Sequence, residues 1–262
     1  MILTDYFRYP RDSTWDLARQ CGVKHGVIRL PETNTFDLTD KSHWQTVYDD
    51  FMAYGIRPII VEPMPNCVHD HIKAGDSLRD ESITKVLKMF TIMQDLGIQT
   101  ICFNWMAYIG WLRTTSSIPE RGGALVTGFD MQDFTPGPHR IGEHELWENY
   151  TYFLKAVIPE AEKYGIRLAL HPDDPPVPKL GDVSRIMISA QNIKKAIYDI
   201  YPSDMLGITM CQANYYIMAK IWTTLYGTWQ KKYSLSISAT QPAVCSISGK
   251  RSTIMENWIW RI

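Results

Sequence analysis

No apolar run in this chain approaches the length of a bilayer span, and its N-terminus lacks the charged-then-apolar pattern of a secretory signal. Neither a membrane anchor nor export is expected, and a cytoplasmic protein is the default. Cysteine is sparse: Cys21, Cys67, Cys102, Cys211 and Cys245 form an odd set without close-spaced pairs. That excludes a disulfide framework and a zinc ribbon. Excess charge is missing too, because a net charge of −1 offers no footprint for nucleic acid or an anionic membrane surface. Histidine is absent beyond His171. What is present, 262 residues at 45 % hydrophobic, suffices for one large core or two small ones.

A pattern recurs along the chain: a helix-like segment, a glycine, a β-branched residue and an apolar run. Gly22-Val23 leads to Val27–Leu30, Gly55-Ile56 to Ile59–Val61, and Gly97-Ile98 to Ile101–Phe103. Gly165-Ile166 leads to Leu168–Leu170, and Gly207-Ile208 to Thr209–Cys211. Glycine just past a helix end accepts the left-handed conformation that stops the helix. The segment Glu148 to Tyr164, with Tyr152, Ala156, Val157 and Pro159 at helical spacing, is one such helix. Alternating helices and strands imply a parallel sheet. The expected fold is an α/β chain forming an incomplete (β/α) TIM-type barrel of about five of eight strands, with a doubly wound sheet as second choice.

The strand Leu168-Ala169-Leu170 ends abruptly in His171-Pro172-Asp173-Asp174-Pro175-Pro176. The C-terminal ends of parallel strands are where such folds bind ligands. The plain alternative is a histidine closing a strand before a proline-rich turn. Cys211 ends the next strand, so His171 and Cys211 stand at successive strand ends and could share an Fe(II), Mn(II) or zinc ion. Otherwise Cys211 is a small buried apolar residue. The other histidines (His25, His43, His69, His71, His139 and His144) read as solvated or satisfied groups. The stretch from Asn104 to His139 carries Trp105, Trp111, Arg113, Thr114, Arg121 and Gly122-Gly123, a composition suited to a lid or substrate loop as well as to surface decoration.

Several segments together resemble mannonate dehydratases. They are His71-Ile72-Lys73-Ala74-Gly75, Asn104-Trp105-Met106, Trp111-Leu112-Arg113-Thr114, Glu148 to Pro159, Ile166 to Pro176 and Thr209-Met210-Cys211. The resemblance runs from about residue 5 to Met218. It implies a (β/α) barrel of the xylose isomerase group that dehydrates D-mannonate to 2-dehydro-3-deoxy-D-gluconate in hexuronate breakdown, with Fe(II) or Mn(II). It implies His171 and Cys211 as metal ligands, and Arg113, Trp111 and Asn104 as substrate contacts. Elimination of the C3 hydroxyl after loss of the C2 proton needs charge stabilisation on the carboxylate, and a divalent cation supplies it. The family's further ligands, a histidine on the next strand and an aspartate in an Arg-Pro-Asp-His-like motif, have no counterpart here, nor do its acid–base residues. Two other readings stand beside this one. A sugar isomerase or epimerase on the same barrel would use more carboxylates, for which Glu62 is the available acid; the other is a non-catalytic binding fragment.

The resemblance stops after Met218, which divides the chain into a partial barrel, 1–218, and a tail, 219–262. Trp222, Trp229, Trp258 and Trp260 crowd that tail, and Ser234, Ser236 and Ser238 alternate with Leu235 and Ile237, a half-polar strand. Permitted codons for residues 220–262, read from each codon's third base, spell an amphipathic helix, a strand FFIHF and a turn FHDNG, all family-like. Loss of one base near Met218-Ala219 accounts for the change, so a shifted reading frame is expected. An open barrel edge on the fifth strand, low stability, poor metal binding and no turnover are the expected consequences.

Overall fold

The computed structural model describes residues 2–218 and the backbone of three later strands, at 233–237, 244–247 and 250–253. Strands and helices alternate from the start: β1 (Thr4–Phe7), α1 (Ser13–Gln20), β2 (His25–Ile28), α2 (Lys41–Ala53), β3 (Arg57–Val61), α3 (Asn66–Ala74), α4 (Arg79–Leu96) and β4 (Thr100–Asn104). An excursion of β5 (Thr115–Pro119), β6 (Leu125–Asp130) and β7 (Arg140–Ile141) precedes α5 (Glu143–Tyr164) and β8 (Arg167–His171). A second, shorter excursion, β9 (Lys179–Leu180) and β10 (Asp182–Ser184), leads to α6 (Ala190–Lys194), β11 (Leu206–Cys211) and α7 (Gln212–Met218). The remaining strands are β12 (Tyr233–Ile237), β13 (Val244–Ile247) and β14 (Lys250–Thr253).

Seven of these strands form one curled parallel sheet in the order β1-β2-β3-β4-β8-β11-β12. It is an incomplete TIM-type barrel, as the helix–glycine–strand pattern predicts, but with seven strands instead of five. The pattern misses β1 because Thr-Asp-Tyr-Phe is short, half exposed and preceded by no helix. It misses the pairing of β12 because an exposed edge was expected on β11. The structure corrects this: β12 lies parallel to β11, with Met210 beside Ser236 and Cys211 beside Ile237. A ladder joins backbone groups, and the β-formers Tyr233, Leu235 and Ile237 alternate as a strand does. The tail's tryptophans, Trp222, Trp229, Trp258 and Trp260, lie outside the described residues.

Gly97 and Gly165 stop α4 and α5 in the left-handed conformation, at φ 72° and 67°. Gly207 does not follow this rule; it sits inside β11. Helix α5 starts earlier than its sequence periodicity indicates, and its buried face is Leu146, Tyr150, Phe153, Leu154, Val157, Ile158 and Ala161. Tyr152 faces outward and donates to Asp80. Fully buried Trp105, Phe153 and Phe103 pack between α5 and the sheet and enclose His69, which is fully buried instead of solvated. Trp105, counted above with the candidate lid, is therefore core; its indole N–H donates to the Leu146 carbonyl at 3.1 Å.

The inside of the sheet is layered. Val27, Ile60, Cys102 and Ala169 form a separate small apolar cluster, one residue from each of four successive strands. Thr209 from β11 joins them: its hydroxyl donates to the Ala169 carbonyl and lies 3.1 Å from the Cys102 sulfur. Side chains alternate faces along a strand, so the residues two further on line the same interior one layer higher. Those residues are Arg29, Glu62, Asn104, His171 and Cys211.

Candidate active site

Each member of the upper layer ends a strand or directly follows one. Asn104 and His171 are register partners at the ends of β4 and β8. Cys211 closes β11, which pairs with β8, so the sequence expectation of successive strand ends holds in space. His171 Nδ1 lies 2.6 Å from the Pro172 carbonyl. A carbonyl can only accept, so Nδ1 carries the proton and Nε2 is left for Cys211, with which His171 is hydrogen-bonded. Burial on its own pushes this imidazole down, but the Cys211 sulfur, the Glu62 carboxylate and the Pro172 carbonyl together raise it to about 9. Glu62 is itself raised by burial and pulled back by His171 and by a hydrogen bond from Cys102. Asn104 uses its side-chain oxygen to accept from Met106 N–H at 3.1 Å, which orients its amide group at the strand end.

On the far side of the mouth stand Tyr6 and Arg29, which the sequence reading passes over. Arg29 hydrogen-bonds Tyr6 and also holds Glu32 Oε1 at 2.6 Å through Nη2. The signal was available: Arg29 lies two residues beyond the interior Val27, the same step that leads from Ala169 to His171.

The two acids after His171 are clamps. Asp173 is fully buried; its backbone N–H donates to the Met187 carbonyl at 2.9 Å and its Oδ2 accepts the Met187 N–H at 3.0 Å. Burial raises the Asp173 carboxyl, and Arg185 opposes that rise. Arg185 in turn donates to the carbonyls of Ile109 and Gly110, tying the loop after β4 to the turn after β8. Asp174 accepts both arms of Arg113, Nη1 at 2.6 Å and Nη2 at 2.9 Å, with each side chain only about one-eighth exposed (13 % and 12 %). The guanidinium also lies 4.5 Å above the ring of Trp111, which is 61 % exposed. The candidate substrate residues thus divide: Asn104 lines the layer with His171 and Cys211, while Arg113 and Trp111 belong to the loop that Asp174 fastens to the turn after β8.

The D-mannonate dehydratase (UxuA) family model matches residues 6–139 and 136–223, most of the chain. The chain belongs to the D-mannonate dehydratase family. It is 32% identical over 220 residues to the mannonate dehydratase of Streptococcus agalactiae serotype Ia, an alignment covering 74% of this chain and 62% of that relative. The chain therefore spans less than two thirds of the length of curated relatives that it matches, such as those of Streptococcus agalactiae and Streptococcus equi subsp. zooepidemicus. The crystal structure of mannonate dehydratase from Streptococcus suis serotype2 shares the fold at a TM-score of 0.81 and 23% identity, over 94% of this chain and 74% of that one. The xylose isomerase domain protein from Planctomyces limnophilus follows at a TM-score of 0.53 and 12% identity, over 89% and 70%. Within this family, the layer at the strand ends is the candidate active site of the chain.

Proposed function

We propose that the activity belonging to this fold is the dehydration of D-mannonate to 2-dehydro-3-deoxy-D-gluconate, a hydro-lyase step of hexuronate breakdown in the cytoplasm, supported by Fe(II) or Mn(II). The observation that carries the reading is the pairing of His171 with Cys211 at neighbouring strand ends within a family match from residue 6 to 223.

In kind, imidazole and thiolate suit a divalent transition metal. In number they fall short. Among the described residues no three His, Cys, Asp or Glu side chains gather to hold an ion, and Glu62 does not complete the set. When bound, a divalent cation would polarise the substrate carboxylate and so acidify the neighbouring C–H. His171 and Cys211 would hold it, with the Pro172 carbonyl fixing the imidazole tautomer. Asn104 would bind a substrate hydroxyl through its amide N–H groups. Arg113 and Trp111 would cover the site, with Asp174 holding Arg113 in place. With two donors among the described residues, this is a half-site, expected to bind metal weakly and not to turn substrate over.

The test measures 2-oxo acid formation from D-mannonate with added Mn(II), and Mn(II) retention by equilibrium dialysis, on the chain and on its His171→Ala and Cys211→Ser variants. Weak Mn(II) retention lost in both variants, without turnover, is the expected result. Retention unchanged by both variants would remove the metal pair from the proposal, and rapid turnover by the unaltered chain would overturn the half-site.

A further inference from the structure

The histidine and cysteine stand on one side of the barrel mouth, and two arginines stand on the other. We propose that Arg8 and Arg29 form a second anion subsite, and that the sugar acid fitting this mouth carries an anionic group at each end: a terminal phosphate or a second carboxylate besides the carboxylate at C1.

Strand register brings the two arginines together. In the β1–β2 ladder Tyr6 pairs with Val27 and Phe7 with Ile28. The ladder continues past both strands, because the Arg29 N–H donates to the Phe7 carbonyl at 2.9 Å. Arg8 therefore stands beside Arg29, two residues beyond Tyr6 as Arg29 is beyond Val27, and both belong to the upper layer of the interior. A cavity of about 250 Å³ opens at these two strand ends, lined by Arg8, Tyr9, Arg29, Leu30, Pro31 and Glu32.

Its charge is unbalanced. Glu32 accepts from Arg29 Nε at 3.0 Å and Nη2 at 2.6 Å, and Tyr6 holds the same guanidinium from another side. The neighbouring Arg11 is likewise paired, with Asp16. Arg8, exposed, makes no ion pair among the described residues; Asp12, whose charge it feels, is committed to Thr14 at the start of α1. The cavity thus sets two guanidinium groups against one carboxylate, one of them fixed in place and the other free. Planar forks of this kind recognise phosphate and carboxylate through paired N–H donors.

Separation assigns these arginines to a second anionic group. His171 ends β8, and β3 and β4 lie between β8 and β2 in the sheet, which makes three strand spacings of about 4.8 Å each. One carboxylate cannot meet both His171 and the arginines. The dehydration places the C1 carboxylate by His171 and Cys211, so the arginines are left for the far end of the same molecule. Glu62 and Asn104, the layer residues between, are hydrogen-bonding groups suited to the hydroxyls of the carbons in the middle. The terminal hydroxymethyl of D-mannonate carries no charge for Arg8 and Arg29 to meet.

This inference rests on the hydro-lyase reading for which end of the substrate meets His171, and the test separates the two. Calorimetric titration of the full 262-residue chain with Mn(II) compares D-mannonate, D-mannonate 6-phosphate and D-mannarate, the six-carbon acid with a carboxylate at each end. One of the doubly charged acids is expected to bind roughly tenfold or more tighter than D-mannonate, the worth of one charge-assisted hydrogen bond. Which of them does so tells phosphate from carboxylate. Arg8→Gln and Arg29→Gln should each shrink that advantage, whereas His171→Ala should weaken all three acids alike. An unaltered response to His171→Ala removes the metal pair and leaves the arginine subsite standing. Equal binding of the three acids, or an advantage that survives both arginine variants, overturns the subsite.

Phenylglyoxal modification of arginines, mapped by mass spectrometry, decides where heats are too small to fit or a variant does not fold. A doubly charged acid is expected to protect Arg8 in the unaltered chain, and D-mannonate is not. Equal labelling of Arg8 with all three overturns the proposal. Protection by inorganic phosphate alone, with none from either doubly charged acid, overturns its assignment to the substrate.

Discussion

Two layers of the same barrel interior, two residues apart along each strand, have opposite chemistry. The lower one (Val27, Ile60, Cys102, Ala169) is a dry cluster, buried to within 8 % exposure. The upper one (Arg29, Glu62, Asn104, His171, Cys211) is polar, and every member but Asn104 is ionisable. The lower layer holds strands together by packing. The upper layer is held by directional bonds to loops: Pro172 fixes His171 and Met106 fixes Asn104, and three residues past His171 Asp174 fastens the Arg113 loop. Packing belongs to the first layer and the candidate site to the second, and the boundary between them is about 6–7 Å of strand rise.

Breaking the fastening should cost most. Arg113→Ala leaves Asp174 buried without its partner, and removing one side of such a pair costs about 3–5 kcal/mol; urea denaturation should show the midpoint falling accordingly. A smaller loss would mean that Asp174 reaches water once Arg113 is gone. Overfilling the lower layer comes next. Ala169 is fully buried against Cys102 and Thr209, so Ala169→Leu should destabilise by about 1–3 kcal/mol. A neutral result would reveal unfilled space in the barrel floor.

His69 sharpens the comparison, as a polar residue set among aromatic rings with neither ring nitrogen hydrogen-bonded. Burial first, and the Lys73 ammonium second, hold its pKa well below 6.5. An unfolded chain takes up a proton near pH 6.5 that the folded chain refuses. Stability is therefore full above that pH and falls below it, by at most about 1.4 kcal/mol per pH unit. His69→Phe should flatten this slope between pH 6.5 and 5; an unchanged slope would assign acid sensitivity elsewhere. The smallest effect is expected in the upper layer itself. His171→Ala should alter unfolding free energy by about 1 kcal/mol or less while abolishing Mn(II) retention, and a large loss of stability would show that the site layer also carries the fold.

The repeat of helix, glycine and apolar run located four interior strands and β11, because left-handed caps and buried runs are local properties. Two strands escaped it. The polar, exposed β1 has no local signature, and the pairing of β12 is a backbone event that its residues do not announce. His171 and Cys211 were legible because each ends an apolar run. Arg29 was legible only through its step of two residues beyond Val27, and Tyr6 not at all, because it lies on the short, half-exposed β1. The long loop after β4 was read as one object, but burial divides it into core at Trp105 and cover at Trp111 and Arg113.

By itself the sequence determined the unit that repeats, the family it resembles, and the histidine and cysteine at successive strand ends. Tertiary structure alone decided which side chains share the mouth of the barrel, that Asp173 and Asp174 act as clamps, and that position 237 stands beside Cys211. The reason is physical. Caps and apolar runs are set by neighbours in the chain, whereas the layer, the clamp and the ladder partner are set by the curl of a sheet that brings distant residues together.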